Sequence, residues 1–222
     1  MSGTLTIDGL VMPADISRLE TFRAWVRTLG ENAPRVHFSN GSVWIEMSPQ
    51  NYQTHLIMVD AINAQLQVLS RDLGTGKYFG DGGWLTNDSA GLSTEPDGFL
   101  VLWETLRSSE ARLVPRAEGE GSIELVGRGD MVLEVVSDSS VHKDTVELIR
   151  DYAAAGFREY WLVDAREEKI AFRILALRDG EYEDVSPVAG GWLPSAVWGR
   201  RFKLVREIDP AGLPSYDLLV ES

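Results

Sequence analysis

The sequence predicts a mixed α/β fold, in which a sheet of parallel and antiparallel strands is flanked by helices. Three observations carry that expectation. His55, Val59, Ile62, Leu66, Leu69 and Leu73 form one stripe, the mark of a long helix with a single apolar face. The run "DMVLEVV", residues 130–136, is too apolar on both faces to be exposed on either, as in a central strand. Strand and helix signals alternate around these two segments, and 222 residues with 44% hydrophobic content suffice for one sizeable core.

In chain order, "DISRLETFRAWVRTLGE" sets Ile16, Leu19, Phe22, Val26 and Leu29 at helical spacing, with Ser17 and Glu20 as a capping box. In "RVHFSNGSVWIEM" the Asn40-Gly41 pair between alternating runs predicts a hairpin whose second strand holds Glu46. The long helix runs from Thr54 to Leu73, with His55 in its first turn, and Gly74 and Gly76 end it. Strands are expected around Tyr78 and Trp84 and from Asp97 to Trp103, while the polar segment 104–124 reads as an exposed loop or hairpin. After the central strand, "DTVELIRDYAAAG" predicts a helix capped by Asp144, with Val146, Ile149 and Tyr152 inward and Gly156 as its stop. "REYWLVDA" and "KIAFRILAL" read as strands, Asp179-Gly180 turns into a short strand at Tyr182, and "AVWGRRFKLV" holds the last strand.

Composition narrows the function classes. Without cysteine the chain has no disulfide, thiolate zinc site or cysteine nucleophile. No apolar run approaches the ~20 residues that span a bilayer, and no basic-then-apolar leader is visible. The expectation is a cytoplasmic protein without a membrane partner. A net charge of −13 argues against tight, non-specific nucleic-acid binding through a basic surface, and leaves room for a local basic groove or a metal site.

Three acids fall in strand contexts beside polar loops: Glu46, Asp97 and Glu134. Pro96 fixes the chain entering the Asp97 strand. If the Asp97 and Glu134 strands are neighbours, the two carboxylates stand side by side, and they repel unless one is protonated or a cation joins them. Oxygen ligands without cysteine select hard ions such as Mg2+ or Mn2+. That chemistry suits metal-assisted hydrolysis of a phosphodiester, and Lys143 is the candidate cation nearby.

The segments "EPDGFLV", "DMVLEVVSDSSVHKD" and "YAAAGFREYWLVDAR" together resemble the Uma-type restriction endonuclease family, within the PD-(D/E)XK nuclease superfamily. "NGSVWIEMSP" with the downstream His55, and "SAVWGRRFKL", extend the resemblance over nearly the whole chain. It implies a restriction-endonuclease-like mixed sheet flanked by helices, preceded by an N-terminal helix and hairpin. It also implies that Asp97 is the PD aspartate, Glu134 the acidic residue of the (D/E)XK element, and the carbonyl of Val135 a further metal ligand. The sequence departs from that pattern at Val136, where the motif has lysine, and at Leu148, where many relatives carry a helix lysine. Lys143 is the residue expected to supply the cation from the loop. The expected organisation is one domain over 1–222, with an extension at 1–50, a nuclease core at 51–175 and C-terminal strands at 176–222.

Simpler readings stand beside these. Pro-Asp-Gly is also a turn signature, Glu134 could answer to an arginine, and Glu46 could lie on a solvated strand face. His55 reads as a possible wall of the site, and Tyr152, Tyr160, Trp161 and Asp164 read as structural. The function expected is a Mg2+-dependent endonuclease acting on DNA, with Arg107, Arg112, Arg116 and Arg128 as a phosphate-contacting arm. Its alternatives are a catalytically degenerate binding or assembly protein, or a metal-dependent hydrolase of other phosphoesters. Cleaving two strands favours a homodimer, with Trp192 and Trp198 as candidate interface residues that core packing would explain as well.

Overall fold

The structure, a computed structural model, describes residues 4–7, 9–29, 34–116 and 119–221. The chain opens with a small antiparallel hairpin, β1 (Thr4–Ile7) and β2 (Leu10–Pro13). Helix α1 covers Leu19–Val26, shorter than the apolar spacing predicts. The capping box is absent: Arg18 holds the cap position and makes no side-chain cap hydrogen bond. Ile16 and Leu29 pack with Phe22 from the flanking turns, and Gly30 and Glu31, read as the helix end, lie outside the described residues.

The predicted hairpin is β3 (Arg35–Ser39) and β4 (Ser42–Glu46). Its turn puts Asn40 at φ 47° and Gly41 at φ 89°, the left-handed pair that these two residue types reach at least cost. A π-helical turn, Tyr52–Leu56, leads into α2 (Ile57–Leu73), which ends on Gly74 in the left-handed region. Asn51 starts it, its side-chain oxygen accepting from the backbone N–H of Gln53 and Thr54.

Four short strands follow, β5 (Gly76–Gly80), β6 (Leu85–Asn87), β7 (Leu92–Thr94) and β8 (Gly98–Leu102), then helix α3 (Trp103–Arg107). The polar segment is in part a hairpin of β9 (Ala111–Pro115) and β10 (Ser122–Gly127), with 117–118 outside the described residues. Strand β11 (Met131–Val135) precedes a second π-helical turn, Lys143–Glu147, and helix α4 (Leu148–Ala154). The rest is β12 (Glu159–Asp164), β13 (Ala171–Arg178), β14 (Glu181–Asp184), β15 (Leu193–Ser195), β16 (Arg200–Ile208) and β17 (Pro214–Glu221). The chain therefore ends in two long paired strands rather than in the single one expected.

The central six-stranded sheet has the order β14-β13-β12-β11-β8-β5, with β11 parallel to β12 and antiparallel to β8. A second six-stranded sheet runs β4-β3-β7-β6-β10-β9, and β15, β16 and β17 form a third. All five residues of β11 are buried, as its composition predicts. Met131, Leu133 and Val135 pack toward α2 and the C-terminal sheet, whereas Val132 and Val136 pack toward α4 and the second sheet. Each fully buried side chain of this size contributes about 1.5–3 kcal/mol, so both faces are stabilised. The apolar interior is not the one core expected: a third cluster joins Phe22 and Trp25 of α1 to Val36 and Phe38 of β3. Trp198 belongs to the first cluster, against Tyr78 and Phe202, which is the core packing weighed against an interface role.

Candidate active site

The register of β8 on β11 pairs Leu100 with Met131 and Gly98 with Leu133. One step further, Asp97 lies across from Glu134. Both are buried, each 3% exposed. Asp97 accepts the backbone N–H of Val135 at 2.7 Å and the Arg35 guanidinium at 3.1 Å, and His55 Nε2 is 3.5 Å from its second oxygen. Glu134 accepts the Tyr152 hydroxyl at 2.6 Å. Packing behind Asp97 leaves no room for a side chain at Gly98, where a Cβ would stand 2.0 Å from the Tyr78 hydroxyl. That hydroxyl donates to Asn63 Oδ1 at 2.6 Å, and Asn63 donates to the Asp97 carbonyl at 3.0 Å.

Lys143 enters from the helix rather than from a loop. Its Nζ donates to Glu46 Oε1 at 2.5 Å and lies 3.5 Å from Asp144 Oδ1. Asp144 is not a cap, since Val141 and His142 are already helical; it is 1% exposed and its Oδ2 accepts the Ser140 hydroxyl. The wide π turn explains the correction. Its extra residue per turn brings two consecutive side chains, Lys143 and Asp144, to the pocket. It also shifts the inward face of the helix to Leu148, Asp151 and Tyr152 and leaves Val146 50% exposed. The turn at Tyr52–Leu56 likewise delivers His55, 4% exposed.

The hairpin β3–β4 forms the opposite wall. Arg35, His37 and Ser39 alternate onto one face of β3: Arg35 meets Asp97, Ser39 donates to Asp151, and His37 lies between them. Both ring nitrogens of His37, Nδ1 of His55 and Oδ1 of Asp144 are buried without a hydrogen-bond partner. The pocket leaves about 20 Å³ for the centre of a water-sized sphere, room for a single ion or about one water.

Charge in the pocket is set by burial and close neighbours. Burial would raise Asp97, but the His55 contact, the Arg35 charge and the Val135 N–H hold its carboxyl below the usual range. Burial, reinforced by Asp97 and Asp144, pushes Glu134 well above it against the pull of Lys143. Asp144 rises to about 7, mainly through burial. Lys143 is raised despite burial, because Asp144, Glu134 and Glu46 surround it. Burial and the Lys143 charge lower His37 to about 3.

Asp97, Glu134, Val135, Lys143, Glu46 and His55 therefore line one pocket. Sequence reasoning missed Arg35, His37, Asp144 and Tyr152. The signal for Asp144 was its place beside Lys143, and that for Tyr152 its place on the helix face turned to the Glu134 strand. The positions where a lysine was missed are core: Val136 and Leu148 are both fully buried in the apolar cluster. Arg128, one of the arm expected to contact phosphates, pairs with Glu110 and Asp130.

A central mixed sheet with two acids at adjacent strand ends, flanked by helices, defines a restriction-endonuclease-like protein. The fold is similar to that of a protein described as a putative nuclease belonging to DUF820 from Anabaena variabilis. That likeness has a TM-score of 0.60 at 18% identity and covers 82% of this chain and 90% of the other. No curated protein matches the chain. Residues 19–199 match Uma2, described as "Putative restriction endonuclease", and the chain belongs to that family.

Proposed function

We propose that this protein is a divalent-metal-dependent endonuclease that hydrolyses DNA phosphodiester bonds. The observation that carries the reading is the placement of Glu134 across from Asp97 in a buried, ion-sized pocket that also holds Lys143. The residues fit a hard ion. Asp97, Glu134 and the Val135 carbonyl are all oxygen donors, and the Asp144 oxygen without a partner adds another. Among the described residues no three His, Cys, Asp or Glu side chains already converge as a cage. Mg2+ does not need one, because it accepts one or two carboxylates and completes its shell with water.

When bound, such an ion activates a water and offsets charge developing on the phosphate. The protein's own residues do the rest. Lys143 supplies a cation for the water or the phosphate, held on a helix start. Glu46 and Asp144 orient that ammonium, while Arg35, His55 and the Val135 N–H keep Asp97 ionised. Tyr152 fixes Glu134. A homodimer, each protomer cutting one strand, suits this activity.

Plasmid incubated with Mg2+ or Mn2+ tests the reading, with Asp97→Ala and Glu134→Ala in parallel. Cleavage lost in both variants supports it; cleavage unchanged in both assigns the activity elsewhere. One observation favours the second reading, a degenerate scaffold that binds without cutting: Asp97 already has an arginine partner at 3.1 Å. Calorimetry with Mn2+ separates the two, since a degenerate scaffold gives no heat dependent on Asp97 and Glu134.

A further inference from the structure

We infer that the cleft between the end of α2 and strand β5 binds a single strand of DNA and leads it toward the acidic pocket. The inference rests on the nuclease reading for its occupant and adds where that occupant lies. The cleft measures about 770 Å³, and its walls include Arg71, Lys77 and Trp103. Gly74, Gly76, Gly80, Gly82 and Gly83 line it as well, so much of its floor is backbone that a ligand can approach closely. It meets the pocket at an ion pair: Asp81 lines the cleft and holds Arg35, which also meets Asp97.

Charge selects the class of occupant. Elsewhere in this acidic chain Arg23, Arg35, Arg128, Arg166 and Arg173 each face a carboxylate. Arg71 and Lys77 are exposed and form no ion pair among the described residues. Of the residues lining the cleft only Asp81 is acidic, and Arg35 already neutralises it. Asp72 and Glu104 are sequence neighbours of the lining residues but do not line the cleft themselves. Arg107, one helical turn beyond Trp103 on α3, extends the positive strip. This is the local basic groove for which a net charge of −13 leaves room.

Trp103 selects the form of the strand. Its indole N–H donates to the Gly74 carbonyl at 2.9 Å, which anchors the ring while 38% of the residue stays exposed. An anchored, exposed indole stacks an unpaired base, and cations along the same groove hold the phosphates beside it. Bases paired inside a duplex do not offer that face.

The test is fluorescence anisotropy with a labelled oligothymidylate of about 12 nucleotides, in EDTA, at several salt concentrations. Wild type is compared with Arg71→Ala, Lys77→Ala, Trp103→Leu and Trp103→Phe. Each lost cation should flatten the slope of log affinity against log salt by about 0.7. Trp103→Leu should bind about tenfold more weakly with the slope kept, and Trp103→Phe should recover most of the loss. Affinity and slope unchanged in all four variants, a duplex of the same length bound as tightly, or no binding at all overturns the inference. The nuclease reading is judged separately, by metal-dependent cleavage in wild type and Asp97→Ala. Cleavage without binding in the cleft sinks this inference alone, and binding through the cleft without cleavage sinks the nuclease reading alone. Should Trp103→Leu fail to fold, the two salt slopes decide.

Discussion

His37 shows how one side chain reports on the pocket. Its imidazole is buried with neither nitrogen bonded, feels the Lys143 charge, and is lowered to about 3. The unfolded chain takes up a proton at the ordinary histidine value of about 6.5. Below that pH the unfolded state binds more protons than the folded one, so the His37 contribution to stability falls as pH drops toward 3. Asp144, raised to about 7, works oppositely: above the ordinary carboxyl range the folded state keeps a proton, and its contribution falls as pH rises. Because the two oppose, total stability is a poor readout, and comparison of wild type with His37→Gln isolates the first. Their difference in unfolding free energy should change by about 1.4 kcal/mol per pH unit between about pH 6 and 4. Urea unfolding at several pH values measures it; a flat difference would mean that His37 is charged in the fold.

Elements, more than single residues, decide which substitutions the site accepts. At the start of β8, Gly98→Ala would drive a methyl group into the Tyr78–Asn63 pair that supports the Asp97 carbonyl. The expected cost is about 1–3 kcal/mol, read as a lower denaturation midpoint. On β11, Val136→Lys would place the lysine that the (D/E)XK motif requires, yet the position lies in the apolar cluster with Leu148 and Tyr152. We expect a loss of about 2–5 kcal/mol from a buried, unpartnered charge, measured by thermal unfolding, and no gain in cleavage. The strands were legible because their signals are local: alternation, the Asn-Gly turn and the all-apolar run. Both π turns were not, because no residue pattern distinguishes a π turn from the α-helix it joins. Hence Asp144 read as a cap and Val146 as an inward residue, while Lys143 lines the pocket with Asp97 and Glu134.

The whole molecule sets what local signals omit. Trp198 sits 6.1 Å from Tyr78 and 6.3 Å from Phe202, ring to ring, where the C-terminal sheet meets the central one. Trp198→Ala should cost about 3–5 kcal/mol without changing the mass in solution, and light scattering beside unfolding curves checks both. The pairing of Arg35 with Asp97 across 62 residues, and of Lys143 with Glu46 across 97, could not be read from spacing. Two sheets must dock before these partners meet.

Because one wall of the pocket hangs on the β3–β4 hairpin, the chemistry cannot outlast the joint between the two sheets. Heat, denaturant or a binding partner that pries the hairpin loose would open the pocket while the central sheet stays intact. Loss of the proposed cleavage ahead of unfolding is the expected signature of such a hinge-dependent centre.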